Sequence, residues 1–383
     1  IPKKIIETAI AELEAMKKIV VTKDEQDRKC VYLSYYHKIE NEIVRLLQRI
    51  ILTPRAKICT NEQIEDFIHK YEAEYNFSFA VRQKEAIYMA LESGISILTG
   101  GPGTGKTQTI NSIIQCIKSI VPWATIELCA PTGRASRRMT ELSNISAKTI
   151  HRLIGLNGFE EESELVDISA DFLIVDESSM IDAYVFYKLL LAVSNNTRII
   201  FVGDYDQLPS VGPGLILRDL INSNRIAVTR LTEIFRQAES SQIVMNSHKI
   251  IKGITSIDTN GLTFDVSKGD FYFIEKTEAI KIRETLLKSV NNLIVNKGLT
   301  VDEVQVLTVM NNGDLGVDAI NKEMQIQFNP PAVDKPEVKT SPTTLLRLGD
   351  KVTQTVNNYD LQVFNGDVGR IIKIEIIQDE VEI

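Results

Sequence analysis

No apolar run in this sequence approaches the ~20 residues needed to cross a bilayer, and no secretory signal is visible, so a soluble cytoplasmic chain with no membrane partner is expected. Cysteine is scarce. Cys30, Cys59, Cys116 and Cys129 show no metal-type spacing and read as reduced thiols. His37, His69, His151 and His248 are scattered, which argues against a zinc site. Positive charge is not in excess: a net charge of −8 argues against polyanion binding by bulk charge, but leaves room for a local basic groove. No nuclease-type carboxylate cluster stands out, and no aromatic can be assigned to base stacking. The sequence starts at Ile1 without Met, which suggests an upstream part. Its 383 residues have ordinary globular composition and a length that fits two or three domains.

What is present is concentrated in "SILTGGPGTGKTQT". A short β-prone run feeds a glycine-rich loop, then Lys106, Thr107 and an apolar stripe of Ile110, Ile113, Ile114, Ile117 and Val121 at helical spacing. Glycines let backbone N–H groups converge on one anion, and the following helix adds its positive end. Gly101, Pro102, Gly103, Thr104, Gly105, Lys106, Thr107 and Gln108 are therefore expected to hold ATP, with Lys106 at the outer phosphates and the Thr107 hydroxyl on Mg²⁺. A glycine turn without ligand is the plainer alternative.

Along the chain, residues 1–75 read as a helical module around a small hairpin in "VVTKDEQDRKCVYLSYY", either winged-helix-like or a spacer. Between 76 and 225, "ISILT", "TIELCA", "FLIVD" and "RIIFVG" alternate with helical runs, the pattern of a parallel sheet covered by helices. Segment 156–170, opening on Asn157-Gly158, reads equally as a projecting hairpin or an acidic loop. Residues 226–345 mix helices with the strand-like "FYFIE" and "VQVLTV", suggesting a second α/β domain. A proline-rich connector precedes short strands at 346–383, a small β-barrel module. Both of these last parts read as incomplete.

"FLIVDESSM" ends an apolar strand in Asp176-Glu177. An acidic pair at a parallel strand's carboxyl end suits Mg²⁺ at Asp176 and a general base at Glu177, although a helix cap is the bland reading. Gln207, in "FVGDYDQLPSVGPG", suits γ-phosphate sensing or simply a turn. Gln83 suits adenine, and Arg236 an arginine finger; each is weak by itself. Arg134, Arg137 and Arg138 read as a phosphate grip or as a solvated helix face.

Taken in order, "RQKEAI", "GGPGTGKT", "APTGRAS", "TIHRLIG", "LIVDESSMID", "GDYDQLPSVGPG" and "LTEIFRQ" resemble the motifs of RecD-like superfamily 1 DNA helicases, of the exodeoxyribonuclease V alpha-chain type. The resemblance covers residue 80 to the end. It implies tandem RecA-like P-loop domains of α/β class and an SH3-like β segment. It also implies ATP-driven 5′-to-3′ movement along single-stranded DNA, with unwinding at single-strand/duplex junctions in recombination and repair. It assigns Gln83 to adenine, Lys106, Asp176, Glu177, Gln207 and Arg236 to catalysis, and Thr107 and Asp176 to the metal. It assigns Pro131, Thr132, Gly133, Arg134, Thr149, His151 and Arg152 to DNA, and 156–170 to a strand-separating pin. RecB-like and RecC-like partners are implied for the complex-bound members. The family's "HKSQG"-type motif and final arginine motif do not occur here, so the chain is expected to be C-terminally incomplete. Alternatives are a nucleotide-gated DNA clamp without unwinding and an RNA-directed ATPase.

Overall fold

The computed structural model describes residues 2–24, 26–156, 165–233, 241–257, 259, 269–341, 344–356, 358, 361, 363, 366–377 and 380–382. The chain forms two compact units, Ile1–Ala238 and Glu239–Ile383.

The first unit opens with α1 (Lys3–Ala15) and the expected hairpin, β1 (Ile19–Lys23) paired antiparallel with β2 (Lys29–Leu33). Helices α2 (Ser34–Leu52), α3 (Asn61–Glu74) and α4 (Val81–Glu92) lead into the sheet. Then follow β3 (Ile95–Gly100), α5 (Lys106–Ile120), β4 (Ile126–Ala130), α6 (Gly133–Ser143), β5 (Ala147–Thr149), α7 (Ile150–Leu153) and β6 (Phe172–Val175). The unit closes with α8 (Ala183–Ala192), β7 (Arg198–Gly203), α9 (Ile216–Asn222) and β8 (Ala227–Leu231). The six strands β3 to β8 form one parallel sheet in the order β5-β4-β6-β7-β3-β8.

Strands β3, β6 and β7 are buried along their whole length, which is why they read as continuous aliphatic runs rather than alternating ones. Each sheet face carries its own core. On one, Ile39, Ile43, Leu46 and Ile50 of α2 pack with Leu189 and Leu190 of α8. On the other, Ile64 and Ile68 of α3 meet Ile87 of α4 and Ile113, Ile114 and Ile117 of α5. So α2 and α3, which the sequence places in a module ending at 75, supply both faces of the sheet. Arg49 fixes α2 further by donating to the carbonyls of Leu190 and Val193 at 3.0 and 2.9 Å. β8 lies past residue 225 and still completes the sheet, beside β3.

The second unit contains α10 (Gln242–Ile251), α11 (Ala279–Lys297) and α12 (Val317–Phe328). Three antiparallel ribbons follow: β9 (Glu337–Lys339) with β10 (Leu345–Arg347), β11 (Lys351–Thr353) with β12 (Val368–Arg370), and β13 (Glu375–Ile377) with β14 (Glu380–Glu382). The expected strands at 271–275 and 304–309 belong to no ladder among the described residues. Their apolar content was real, but a strand also needs a partner whose N–H and C=O groups meet its own. No described helix is long and apolar enough to cross a membrane.

Candidate functional site

Because the sheet is parallel, the segments leaving β3, β4, β5, β6 and β7 all emerge at its carboxyl edge, where open α/β sheets place ligands. After β3 the chain curls through Gly101 to Gly105. Gly103 and Gly105 sit at φ 75° and 81°, backbone that a side chain would strain. Gly100 has no room for a Cβ, which would lie 2.6 Å from Thr104 Oγ1 and 2.8 Å from the Leu231 carbonyl oxygen. Gly105 is the N-cap of α5, so Lys106 and Thr107 open that helix. Thr104 is buried and donates to the Gly101 carbonyl at 2.8 Å. Lys106 Nζ turns back into the curl, donating to the carbonyls of Gly100 and Gly101 at 2.5 and 3.1 Å. Thr107 and Gln108 are exposed, and Gln108 Nε2 donates to the Tyr71 hydroxyl at 3.1 Å.

Around this loop stands a charged cluster. Burial lowers the Lys106 ammonium below the usual lysine value, opposed by Asp204, Glu177 and Asp176. Burial raises both acidic side chains, and Asp176 pushes Glu177 further up, while Lys106 and Arg138 pull both down. Asp176 continues β6, its N–H reaching the Cys129 carbonyl at 2.9 Å, and its Oδ1 accepts the Glu177 N–H at 2.8 Å. Glu177 adopts φ 51°, uncommon for a residue with a side chain. That backbone turns the chain into the short helix Ser178–Met180, so the acidic pair sits at a sharp corner and does not cap a regular helix. Asp204 is buried, and its carbonyl accepts the N–H of the exposed Gln207 at 3.2 Å.

Gln83, expected at adenine, lies in the interior beside the loop. It is 1% exposed; its Oε1 accepts the Ala80 N–H at 3.0 Å and its Nε2 donates to Thr109 Oγ1 at 3.3 Å. These bonds tie the start of α4 to the first turn of α5. Arg236 and residues 157–164 of the expected pin lie outside the described residues.

The two DNA-type motifs come together. Ala130 pairs with Thr149 across β4 and β5, so Pro131–Arg134 and Thr149–Arg152 leave neighbouring strands side by side. Thr132 caps α6 by accepting the Ala135 N–H at 3.2 Å, and Thr149 caps α7 by accepting the Arg152 N–H at 3.3 Å. A hydroxyl that accepts a bond still has its proton to donate. Pro131, Thr132 and His151 share a cavity with residues 180–182 and 209–212. Sequence reading missed this grouping, since it draws on four separated segments. It also missed that Arg138, four residues after Arg134 on α6, acts on the acidic pair.

Residues 83–213 match the AAA domain family, and residues 320–383 match the SH3 domain of ATP-dependent RecD-like DNA helicases. A curated relative in Deinococcus radiodurans, "ATP-dependent RecD2 DNA helicase", is 32% identical over 90% of this chain and 45% of its own length. The chain is thus similar to the RecD-like helicases. "RecBCD enzyme subunit RecD" of Mycobacterium tuberculosis is 25% identical over 90% of this chain and 63% of its own. The same-named protein of Buchnera aphidicola is 28% identical over 89% and 66%. The chain spans between about half and two thirds of the length of these relatives. The SH3-type match starts at 320, upstream of the strands expected from 346.

Proposed function

We propose that this chain hydrolyses ATP and couples it to 5′-to-3′ movement along single-stranded DNA, unwinding duplex at junctions. The observation that carries this reading is the convergence, on one sheet edge, of the phosphate loop, the Asp176–Glu177 corner and the two arginine-bearing motifs. In it, loop N–H groups from Gly101 to Gly105 take the phosphates, and Lys106 leaves its loop carbonyls for the outer ones. The glycine cradle and the hydroxyl and carboxylate donors fit a hydrated divalent cation, so Mg²⁺ would be held by Thr107 and Asp176. It supplies charge neutralisation at the phosphates. Glu177 accepts the proton of the attacking water, its backbone corner aiming it past Asp176. Gln207 relays the nucleotide's state to the neighbouring loop, Arg236 adds a cation, and Gln83 acts by tying α4 to α5. Pro131–Arg134 and Thr149–Arg152 grip the DNA backbone.

The test is steady-state ATP hydrolysis with and without single-stranded DNA, beside Glu177→Gln. DNA stimulation is expected, and the substitution is expected to cut turnover about 10²-fold or more. Turnover indifferent to both would refute the reading. A 5′-tailed duplex separates unwinding from nucleotide-gated clamping. The relatives named as RecBCD subunits also suggest RecB-like and RecC-like partners, testable by co-purification.

A further inference from the structure

Helix α1 carries an apolar stripe that the first unit leaves in solvent. Ile10 is half-buried, and every other side chain from Lys3 to Ala15 is exposed. Ile5, Ile6, Ala9, Leu13 and Met16 recur at steps of three and four residues, so they share one face. Ile5 is 58% exposed, Ile6 47% and Met16 64%. The helix is fastened to the hairpin near its carboxyl end. The Lys18 N–H reaches the Leu13 carbonyl at 3.0 Å, and Ser34 donates through Oγ to the Lys17 carbonyl at 2.6 Å and through its N–H to the Lys18 carbonyl at 3.0 Å.

A helix of this length is marginal in water by itself, and what usually holds one in a protein is the packing of its apolar face. In α1 that face is uncovered, and the ends add a second defect. The N-cap is Pro2, which supplies no side-chain bond. The first turn holds Lys3 and Lys4 and no acid, and the last turn holds Glu12 and Glu14 and no base. A helix favours the reverse order, with acids at its positive amino end and bases at its negative carboxyl end. The pair Lys3–Glu7, 3.8 Å apart and largely exposed, relieves little of this.

One occupant removes both defects: a second helix of the same sequence, laid antiparallel on the stripe. Ile5 and Leu13 each lie four residues from Ala9, and Lys4 and Glu14 each lie five. A pair crossing at Ala9 therefore sets Ile5 of each copy opposite Leu13 of the other, and Lys4 opposite Glu14. Ala9, the smallest side chain of the stripe, sits where the helices approach most closely. The lysine end of each helix then meets carboxylates, and the two helix dipoles oppose one another. A parallel pair would set lysines beside lysines. Lys17, at φ 57°, turns the chain out of the helix toward β1. We infer that α1 is a self-association surface, through which two copies of this chain pair antiparallel about a twofold axis. Such a contact is self-complementary, and each ion pair in it occurs twice. One helix face covers less than the ~800 Å² per partner of a standard interface. The dimer is accordingly weak, forming at micromolar rather than nanomolar concentration. The inference is independent of the ATP and DNA readings above.

The test is sedimentation equilibrium of the full chain from low micromolar to near-millimolar concentration, without nucleotide or DNA. A reversible monomer–dimer equilibrium is expected. Lys3→Glu with Lys4→Glu sets acids against acids across the axis and is expected to weaken association about tenfold, each contact counting twice. Adding Glu12→Lys and Glu14→Lys to the same chain makes the charges opposite again and is expected to restore association. Each reversal improves the charge order within a single helix, so a loss on the first cannot come from unfolding α1. A chain that stays monomeric at every concentration would overturn the inference, and so would a dimer indifferent to the first reversal. Weakening by the first reversal without recovery on the second would overturn the antiparallel arrangement.

Discussion

Strand β7 in the first unit and Asp350 in the second each fix a segment against its neighbours, by opposite chemistry. β7 is buried over all six residues, with Phe201 set against Phe186 at a ring separation of 5.4 Å. Its position follows from apolar area hidden on two faces of a sheet. Asp350 is the centre of a polar hub. Its carboxylate accepts from Gln325 Nε2 at 2.5 Å, Asn329 Nδ2 at 2.7 Å and the Arg347 N–H at 2.7 Å. Arg347 in turn pairs with Glu337 at 2.6 Å and donates to the Asn329 carbonyl. A strand buried on both faces is held by apolar area rather than by directed side-chain bonds. A polar hub sets geometry through a few directed bonds, each of which water can replace when it opens.

The sharpest way to break this comparison is to empty the first core. Phe201→Ala is expected to cost about 3–5 kcal/mol, the range for removing a buried aromatic. Two compact units should unfold in two calorimetric transitions. The substitution is expected to lower only the one belonging to the sheet. Asp350→Ala should act on the other, by about 1–3 kcal/mol, because it removes the acceptor shared by the buried Arg347 N–H and the half-buried amides of Gln325 and Asn329. Asp350→Asn should recover part of that loss. If both substitutions shift the same transition together, the contrast between the two units fails.

The same contrast explains what was legible beforehand. The phosphate loop and the Asp176-Glu177 corner are encoded in contiguous residues, since each needs a local backbone shape: glycines at positive φ in one, a strand end in the other. Strand identity in the first unit was legible because full burial writes a continuous aliphatic run. Strand order was not, as it depends on which runs pair across the chain. The stretches at 271–275 and 304–309 show the limit, since apolar alternation without a described ladder partner reads the same on paper. The partners of Gln83 were hidden for a related reason. An amide near a phosphate loop looks available until Ala80 and Thr109 are seen to hold it. The cavity between the two DNA-type motifs was invisible because its walls come from segments brought together only by strands β4 to β7.

The smallest expected effect asks whether acid distinguishes the two units. In the first, Glu72 accepts the Phe79 N–H at 2.9 Å and pairs with Lys84 at 3.0 Å, and the bond from Phe79 holds its carboxyl below the usual glutamate value. In the second, Asp270 accepts from Ser241 Oγ and the Gln242 N–H, and is likewise lowered, chiefly by Ser241. A carboxyl whose folded value is depressed stabilises the fold above its unfolded value and loses that contribution as pH falls through the folded one. Both groups therefore act in the same direction, despite the difference in how their units are built. Glu72→Gln is expected to lower the sheet unit's melting temperature at pH 7 by the equivalent of no more than about 1 kcal/mol, the scale of a partly exposed pair. The gap to the unsubstituted chain should narrow as pH falls from the ordinary glutamate value through the lower folded one, where the carboxyl is protonated in the folded chain as well. A gap that stays constant from pH 7 to pH 3 would mean that Glu72 acts through packing alone. Acid sensitivity would then have to be sought in the second unit, and the two units would differ in their response to protons as well as in their cores.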